Sequence, residues 1–306
     1  MKVCSFLPAS TEIIYQLGLE QYLAGVTFEC PSNKAKVVRS PLEGNTYSSA
    51  EIDKIVAASK AEGKSLYYID EELLQEISPD IIFTQDVCEV CQIDTAYVQR
   101  AVHKLEKKPL IVPLLPKKLG DVYENILTIA QAMNQETAAH RLLATLRDRT
   151  HAVVDMLRSH QASMRRVSLI EWMDPIYNCG HWIPDQIAQA GGVDMLSNPA
   201  GYSIRIPWEK ITQYDPEVLV IAPCGMPPER AVSEISVLQQ KLGWQGLQAV
   251  KNDEVYIVDS DLFTCPSTTL VDGIELLALL FHPAIFGAFR EKFINSFIQV
   301  TSPINA

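Results

Sequence analysis

Short, nearly continuous apolar runs alternate along this chain with longer segments whose apolar positions recur at helical spacing. The first kind reads as buried strands and the second as amphipathic helices, which together imply an α/β fold with parallel sheets. "KVCSFL" (2–7) is an opening strand, and "PASTEIIYQLGL" (8–19) the helix that follows. In that helix Ile13, Ile14 and Leu17 form the apolar face, Ser10 or Thr11 is placed to cap the start, and Gly18 closes the end. "DEELLQEI" (70–77) is a short acidic helix stopped by "SPD", "IIFT" (81–84) a buried strand, "DTAYVQRAVHKL" (94–105) a helix and "PLIVPL" (109–114) the next strand.

The rhythm then changes. "QETAAHRLLATLRDRTHAVVDMLRSH" (135–160) has neither Gly nor Pro, and Ala138, Leu142, Leu146, Val153 and Leu157 recur along it at helical spacing. After this long helix the first pattern returns. "RRVSLIEW" (165–172) resembles the opening strand, and "YDPEVLVIAPCG" (214–225) echoes "ISPDIIFTQDVC" (77–88), each stopping a helix at a Pro-acid pair before a buried strand. The chain therefore reads as two similar α/β lobes, 1–134 and 161–306, joined by a backbone helix at 135–160. "STTLVDGIELLALLFHP" (267–283) is a long apolar helix, and the last ten residues are expected to be loosely held. In open parallel sheets ligands sit beyond the C-terminal ends of the strands, so a cleft between two such lobes is the expected ligand site.

With 306 residues the chain needs neither disulfide nor metal merely to fold. A net charge of −11 argues against nucleic acid and against a polybasic membrane contact. No apolar stretch reaches the length of a membrane span, so no membrane insertion is expected. Seven dispersed cysteines do not resemble a secreted disulfide framework. No signal peptide precedes the first strand, from which a cytoplasmic location is expected, or a periplasmic one if a leader has been removed.

The loops that end strands carry the candidate chemistry. "TFECP" offers Phe28 and Glu29; "QDVCEVC" (85–91) offers Gln85, Asp86, Cys88 and Cys91. "IEWMDPIYNCGHWIPD" (170–185) is the richest, with Trp172, Tyr177, Cys179, His181 and Trp182; Trp208 and Phe263 lie at further strand ends. Aromatic side chains supply rigid, flat contact area to a ligand. Cys88, Cys91, Cys179 and His181 are donor types that cobalt, iron or zinc accept, yet the single C-x-x-C lacks the second pair of a four-cysteine zinc site. Structural thiols and a redox-active pair both remain open for it. No G-x-S-x-G, Walker A, H-E-x-x-H or G-x-G-x-x-G motif is present, which gives no catalytic residue to name.

The opening "VCSFLPASTEIIYQLGL", together with "SPDIIF", the long helix, the Ala-Gly-Gly turn, "PW" and "DPEVLVI", resembles the substrate-binding proteins of ABC importers for iron chelates and cobalamin. It is most similar to the cobalamin-binding branch without export signals, which carries "EW-x-DP…GHW-x-P" and "QD-x-C-x-x-C". The resemblance implies two lobes on a rigid backbone helix, and cobalamin or a related metal chelate or tetrapyrrole bound by Phe28, Glu29, Gln85, Asp86, Trp172, Tyr177, His181, Trp182, Trp208 and Phe263. It implies that Glu72 and Glu209 dock onto an ABC permease if the protein is exported. "TCPSTT" (264–269) stands where that branch carries Arg-Pro. The alternative is a metal-dependent enzyme or metal-binding protein holding zinc or iron at Cys88, Cys91, Cys179 and His181.

Overall fold

The computed structural model describes residues 1–62, 65–85 and 95–301. It divides into two compact units, one of Met1–Pro116 with Gly120–Ala144, the other of Lys117–Leu119 with Thr145–Ala306.

Unit 1 is built on a sheet of six strands: β1 (Val3–Ser5), β2 (Leu23–Thr27), β3 (Ala35–Arg39), β4 (Tyr68–Ile69), β5 (Ile81–Gln85) and β6 (Leu110–Leu114). Their order is β4-β3-β2-β1-β5-β6, parallel except for the edge strand β4. β1 and β5 are buried along their whole length, as strands covered on both faces must be, which is why they read as unbroken apolar runs. The helices are α1 (Pro8–Gln16), α2 (Ser49–Ala61), α3 (Glu71–Ile77), α4 (Thr95–Val102) and α5 (Leu119–Ala132). The expectation that Ser10 or Thr11 caps α1 is corrected: the cap position is Leu7, with Pro8 opening the helix. The two hydroxyls turn inward instead. Ser10 lies 2.5 Å from the Ser5 hydroxyl, to which Thr11 also donates at 2.7 Å.

The long helix α6 (Glu136–Ser159) follows, and the division between the units falls within it, at Ala144.

Unit 2 contains β7 (Arg165–Met173), β8 (Ile176–Asn178), β9 (Gly180–His181), α7 (Ile183–Gln189), β10 (Gly192–Val193), β11 (Asn198–Pro199), α8 (Trp208–Tyr214), β12 (Val218–Ile221), β13 (Val255–Val258) and β14 (Phe297–Gln299). The main sheet runs β10-β7-β12-β13-β14, with β8 folded back antiparallel on β7. β14 is a second correction. Residues 297–299, expected to be loose, pair antiparallel with β13, and Phe297 packs edge-on against Tyr256.

The internal likeness read from the sequence has a structural counterpart in each unit taken separately. α3 and α8 are both seven residues long, and both end on a residue in the left-handed conformation, Ser78 (φ 49°) and Asp215 (φ 48°). Each is followed by a proline, which cannot continue the helix, and then by a fully buried strand. Among the described residues no single helix is long and apolar enough to cross a membrane.

Candidate functional site

The richest sequence segment folds into a compact platform on unit 2. β7 reverses at the cis Asp174–Pro175 bond, β8 returns along it, and the chain passes through Cys179 into β9, whose Gly180 and His181 pair with β11. A second segment, 198–206, closes over this hairpin through backbone bonds. Asn178 N–H donates to Ile204 O (3.1 Å), His181 N–H to Gly201 O (2.7 Å), Ala200 N–H to His181 O (3.0 Å) and Ile206 N–H to Ile176 O (3.0 Å). One carboxylate joins the two segments: Glu171 accepts the Gly180 N–H at 3.0 Å and the Ser203 hydroxyl at 2.8 Å.

Gly180 is required by this closeness. A Cβ there would stand 2.6 Å from both Gly201 O and Ser203 N, which are backbone atoms with little room to retreat. Gly180→Ala is therefore expected to destabilise the protein by about 2 kcal/mol, within the range of overpacked sites. Urea denaturation followed by circular dichroism checks it; an unchanged midpoint would show that the second segment is not tightly docked.

His181 sits in the left-handed region, at φ 52°. Its ring stacks on Trp182 (centroids 5.2 Å apart, 29° between planes) and meets Tyr202 edge-on (5.4 Å, 86°). Burial alone pushes its pKa below the ordinary value, which keeps the imidazole neutral at pH 7. Tyr177, partly exposed, takes a hydrogen bond on its hydroxyl from Arg205 Nε at 2.9 Å. Trp172 is also partly exposed. Tyr202, 61% exposed, and Ile204, 51% exposed, extend the surface beside them.

Trp182 is buried and donates its indole N–H to Phe263 O at 2.6 Å; Phe263 itself has no exposed surface. Trp208 is buried against Trp244 and donates to Leu242 O at 2.9 Å. The side chains of Trp182, Phe263 and Trp208 are buried in unit 2. Cys179 is buried as well. Its fully buried thiol donates to the Asp194 carboxylate at 3.6 Å, and burial with two nearby carboxylates holds its pKa well above the ordinary thiol value.

In unit 1, Phe28 is partly buried against Tyr67 and Glu29 is exposed. Gln85 ends β5 almost fully buried, and among the described residues its Oε1 has no hydrogen-bond partner. Asp86, Cys88 and Cys91 lie outside the described residues. Among the described residues no group of three or more His, Cys, Asp or Glu side chains is arranged to hold a metal ion.

Two α/β units with buried parallel sheets, linked through a long helix, define a solute-binding class of fold. The chain belongs to the periplasmic binding protein family, whose model matches residues 3–262. It is 22% identical over 291 residues to YvrC, an uncharacterized ABC transporter substrate-binding lipoprotein of Bacillus subtilis, covering 93% of this chain and 81% of that protein. Among solved structures it is similar to a periplasmic heme-binding protein from Pseudomonas aeruginosa (17% identity, 93% of each chain, TM-score 0.67). It is also similar to the periplasmic vitamin B12 binding protein BtuF of Vibrio cholerae (18% identity, 92% of this chain and 97% of that one, TM-score 0.61). At these identities the likeness to the solved structures is one of fold. The two-lobed α/β reading and the family resemblance both hold. The cytoplasmic location finds no support in a family named for the periplasm and a relative named as a lipoprotein. The metal-dependent enzyme alternative finds none either.

Proposed function

We propose that this protein is the extracytoplasmic solute-binding component of an ABC importer, and that its solute is a metal chelate of the haem, corrinoid or iron-chelate kind. Family membership carries the importer role, and the platform of Trp172, Tyr177, His181 and Tyr202 on unit 2 supports the chelate. An imidazole met edge-on by the exposed Tyr202, with the partly exposed Trp172 and Tyr177 opposite each other on β7 and β8 and the segments tied together by Glu171, suits a large, flat, mostly apolar ligand. All four tryptophans, Trp172, Trp182, Trp208 and Trp244, belong to unit 2, so their fluorescence reports events there. Titration with hemin, cyanocobalamin and a ferric hydroxamate is expected to give saturable quenching by one of the three. Flat titrations with all three, from a protein whose circular dichroism shows it folded, would sink the reading.

Glu72 and Glu209 are the proposed contacts with the permease. Each is the second residue of its seven-residue helix, exposed in the first turn, and each precedes a left-handed cap by six positions. Free backbone N–H groups at a helix start favour a carboxylate there, and both carboxylates remain available to an arginine. Reversing either charge, Glu72→Lys or Glu209→Lys, is expected to weaken binding to the reconstituted permease about tenfold or more, about 1.4 kcal/mol each. Chelate affinity in the same variants should be unchanged. Equal permease binding by the double variant and the wild type would remove both residues from the interface.

A further inference from the structure

Leu242 has the most exposed large apolar side chain among the described residues, at 95%. A single exposed leucine is ordinary on a protein surface. This one stands on a rigid mount. Residues 241–244 close a turn: Trp244 N–H donates to Lys241 O at 3.1 Å, and Gly243, at φ 88° and ψ −2°, has the left-handed geometry that the third residue of a type II turn requires. Leu242 occupies the second position, at the tip, where the turn accepts most residue types. The turn is pinned to the start of α8. The Trp208 indole N–H donates to Leu242 O at 2.9 Å, and the rings of Trp208 and Trp244 stack with centroids 6.0 Å apart and 22° between planes. Both tryptophans are buried. Buried rings and hydrogen bonds thus fix the backbone of a leucine whose own side chain is left in water.

Its neighbour decides what it serves. Glu209 directly follows Trp208, so the indole that holds the Leu242 backbone belongs to the same first turn of α8 as that exposed carboxylate. Unit 1, taken by itself, repeats the pairing. Tyr68, exposed on the edge strand β4, lies two residues before Asp70, the N-cap of α3, whose second residue is Glu72. An exposed ion pair alone contributes little, because water and salt screen it. An apolar side chain beside the pair keeps water out and adds an attraction that does not depend on charge. A tip already held in place also loses little freedom on docking. We propose that Leu242 is an apolar anchor for the permease, entering a hydrophobic pocket beside the cationic group that meets Glu209. The inference rests on the importer reading above and extends it from a charged contact to an anchored one.

The test measures binding of the full chain to the importer's permease, reconstituted in nanodiscs, from about 50 to about 500 mM salt, a range over which surface charges become screened. Leu242→Ser is the informative variant, because the turn accepts serine and no buried packing is lost; its circular dichroism should match wild type. It is expected to weaken binding about 10–100-fold, the share that one buried leucine supplies, by the same factor at every salt concentration. Glu209→Lys is expected to flatten the salt dependence instead. Leu242→Met, which keeps an apolar side chain of similar size, should bind within a few-fold of wild type. Fluorescence titrations with hemin, cyanocobalamin and a ferric hydroxamate should give the same result for Leu242→Ser and wild type. If Leu242→Ser binds the permease like wild type while Glu209→Lys does not, the anchor is wrong and the charged contact stands. If both variants bind like wild type, the docking reading falls and the anchor falls with it. If Leu242→Ser loses chelate affinity, or turns a dimer into a monomer in analytical ultracentrifugation, the leucine serves the solute or a second copy of this chain, and the proposal is overturned.

Discussion

Arg149→Leu is expected to lower the unfolding free energy by about 3 kcal/mol, the low end of the ~3–5 kcal/mol lost when one partner of a buried ion pair is removed. Arg149 lies on the half of α6 that belongs to unit 2. Its guanidinium gives two parallel bonds to Glu275, both 2.8 Å, and a third to Asp272 at 2.6 Å. Lys292 meets the same two carboxylates, at 2.6 Å from Asp272 and 2.5 Å from Glu275. The four charges tie α6, the helix Thr269–Phe281 and the C-terminal segment together within unit 2. Glu275 is only 7% exposed, so without the guanidinium it keeps one ammonium shared with Asp272 and has little water to compensate. Lys292→Met should cost much less, about 1 kcal/mol, because that side chain is well exposed and its pair is screened. Arg149→Leu combined with Glu275→Leu should recover most of the loss, since apolar residues of similar size replace a buried pair at small net cost. Urea denaturation of the four proteins checks the scheme. Equal small losses for Arg149→Leu and Lys292→Met would show that the network is surface decoration.

That network also shows where the sequence stops being readable. Arg149 stands among the charges of a long polar helix and looks like part of a solvated face; its partners are 123 and 126 positions away. What periodicity does reveal is local. Strands covered on both faces must be continuous apolar runs, and helices that stop at Ser78-Pro79 and Asp215-Pro216 must stop there, so the alternation, the long helix and the echo between the two units were all legible. Aromatic residues at strand ends were not sorted by the same logic. A tryptophan has a large apolar body and a single N–H, so it suits a ligand wall and a core equally well. Trp182 and Trp208 are placed in the core by carbonyls at Phe263 and Leu242, which no local pattern foretells. The converse holds for Tyr202, Ser203 and Arg205, which no pattern in the sequence singles out. They reach the platform through backbone pairing with β8 and β9 and through Glu171 and Tyr177, contacts that carry no spacing signature. A sequence clue did exist: Gly180 and Gly201 meet at a close backbone approach that only a residue without a side chain allows at 180.

Asp194 should give the platform a pH dependence opposite to that of most carboxylates. Its carboxylate accepts the Leu169 and Leu196 N–H groups, both at 2.8 Å, and the Cys179 thiol, yet burial outweighs these bonds and raises its pKa from 3.8 to about 6. Between those values the folded protein holds a proton that the unfolded chain has released. Stability therefore falls as pH rises through this window, the reverse of a salt-bridged acid. About two pKa units correspond to about 3 kcal/mol, present in full below pH ~4 and gone above pH ~6. Asp194→Asn removes the titration. The variant carries a constant penalty of about 1–3 kcal/mol, because one amide oxygen cannot accept from both N–H groups. The informative quantity is thus the slope and not the offset. The unfolding free energy of wild type minus that of Asp194→Asn, measured by urea at pH 4, 5, 6 and 7, should fall by about 3 kcal/mol as the pH rises, from positive at pH 4 to zero or below at pH 7. The difference cancels every other carboxylate common to the two proteins. Parallel curves would mean that folding leaves the Asp194 pKa unshifted. A falling difference would instead place a protonated acid under the loop that positions Cys179 and His181, and would make acid conditions favour the ordered platform.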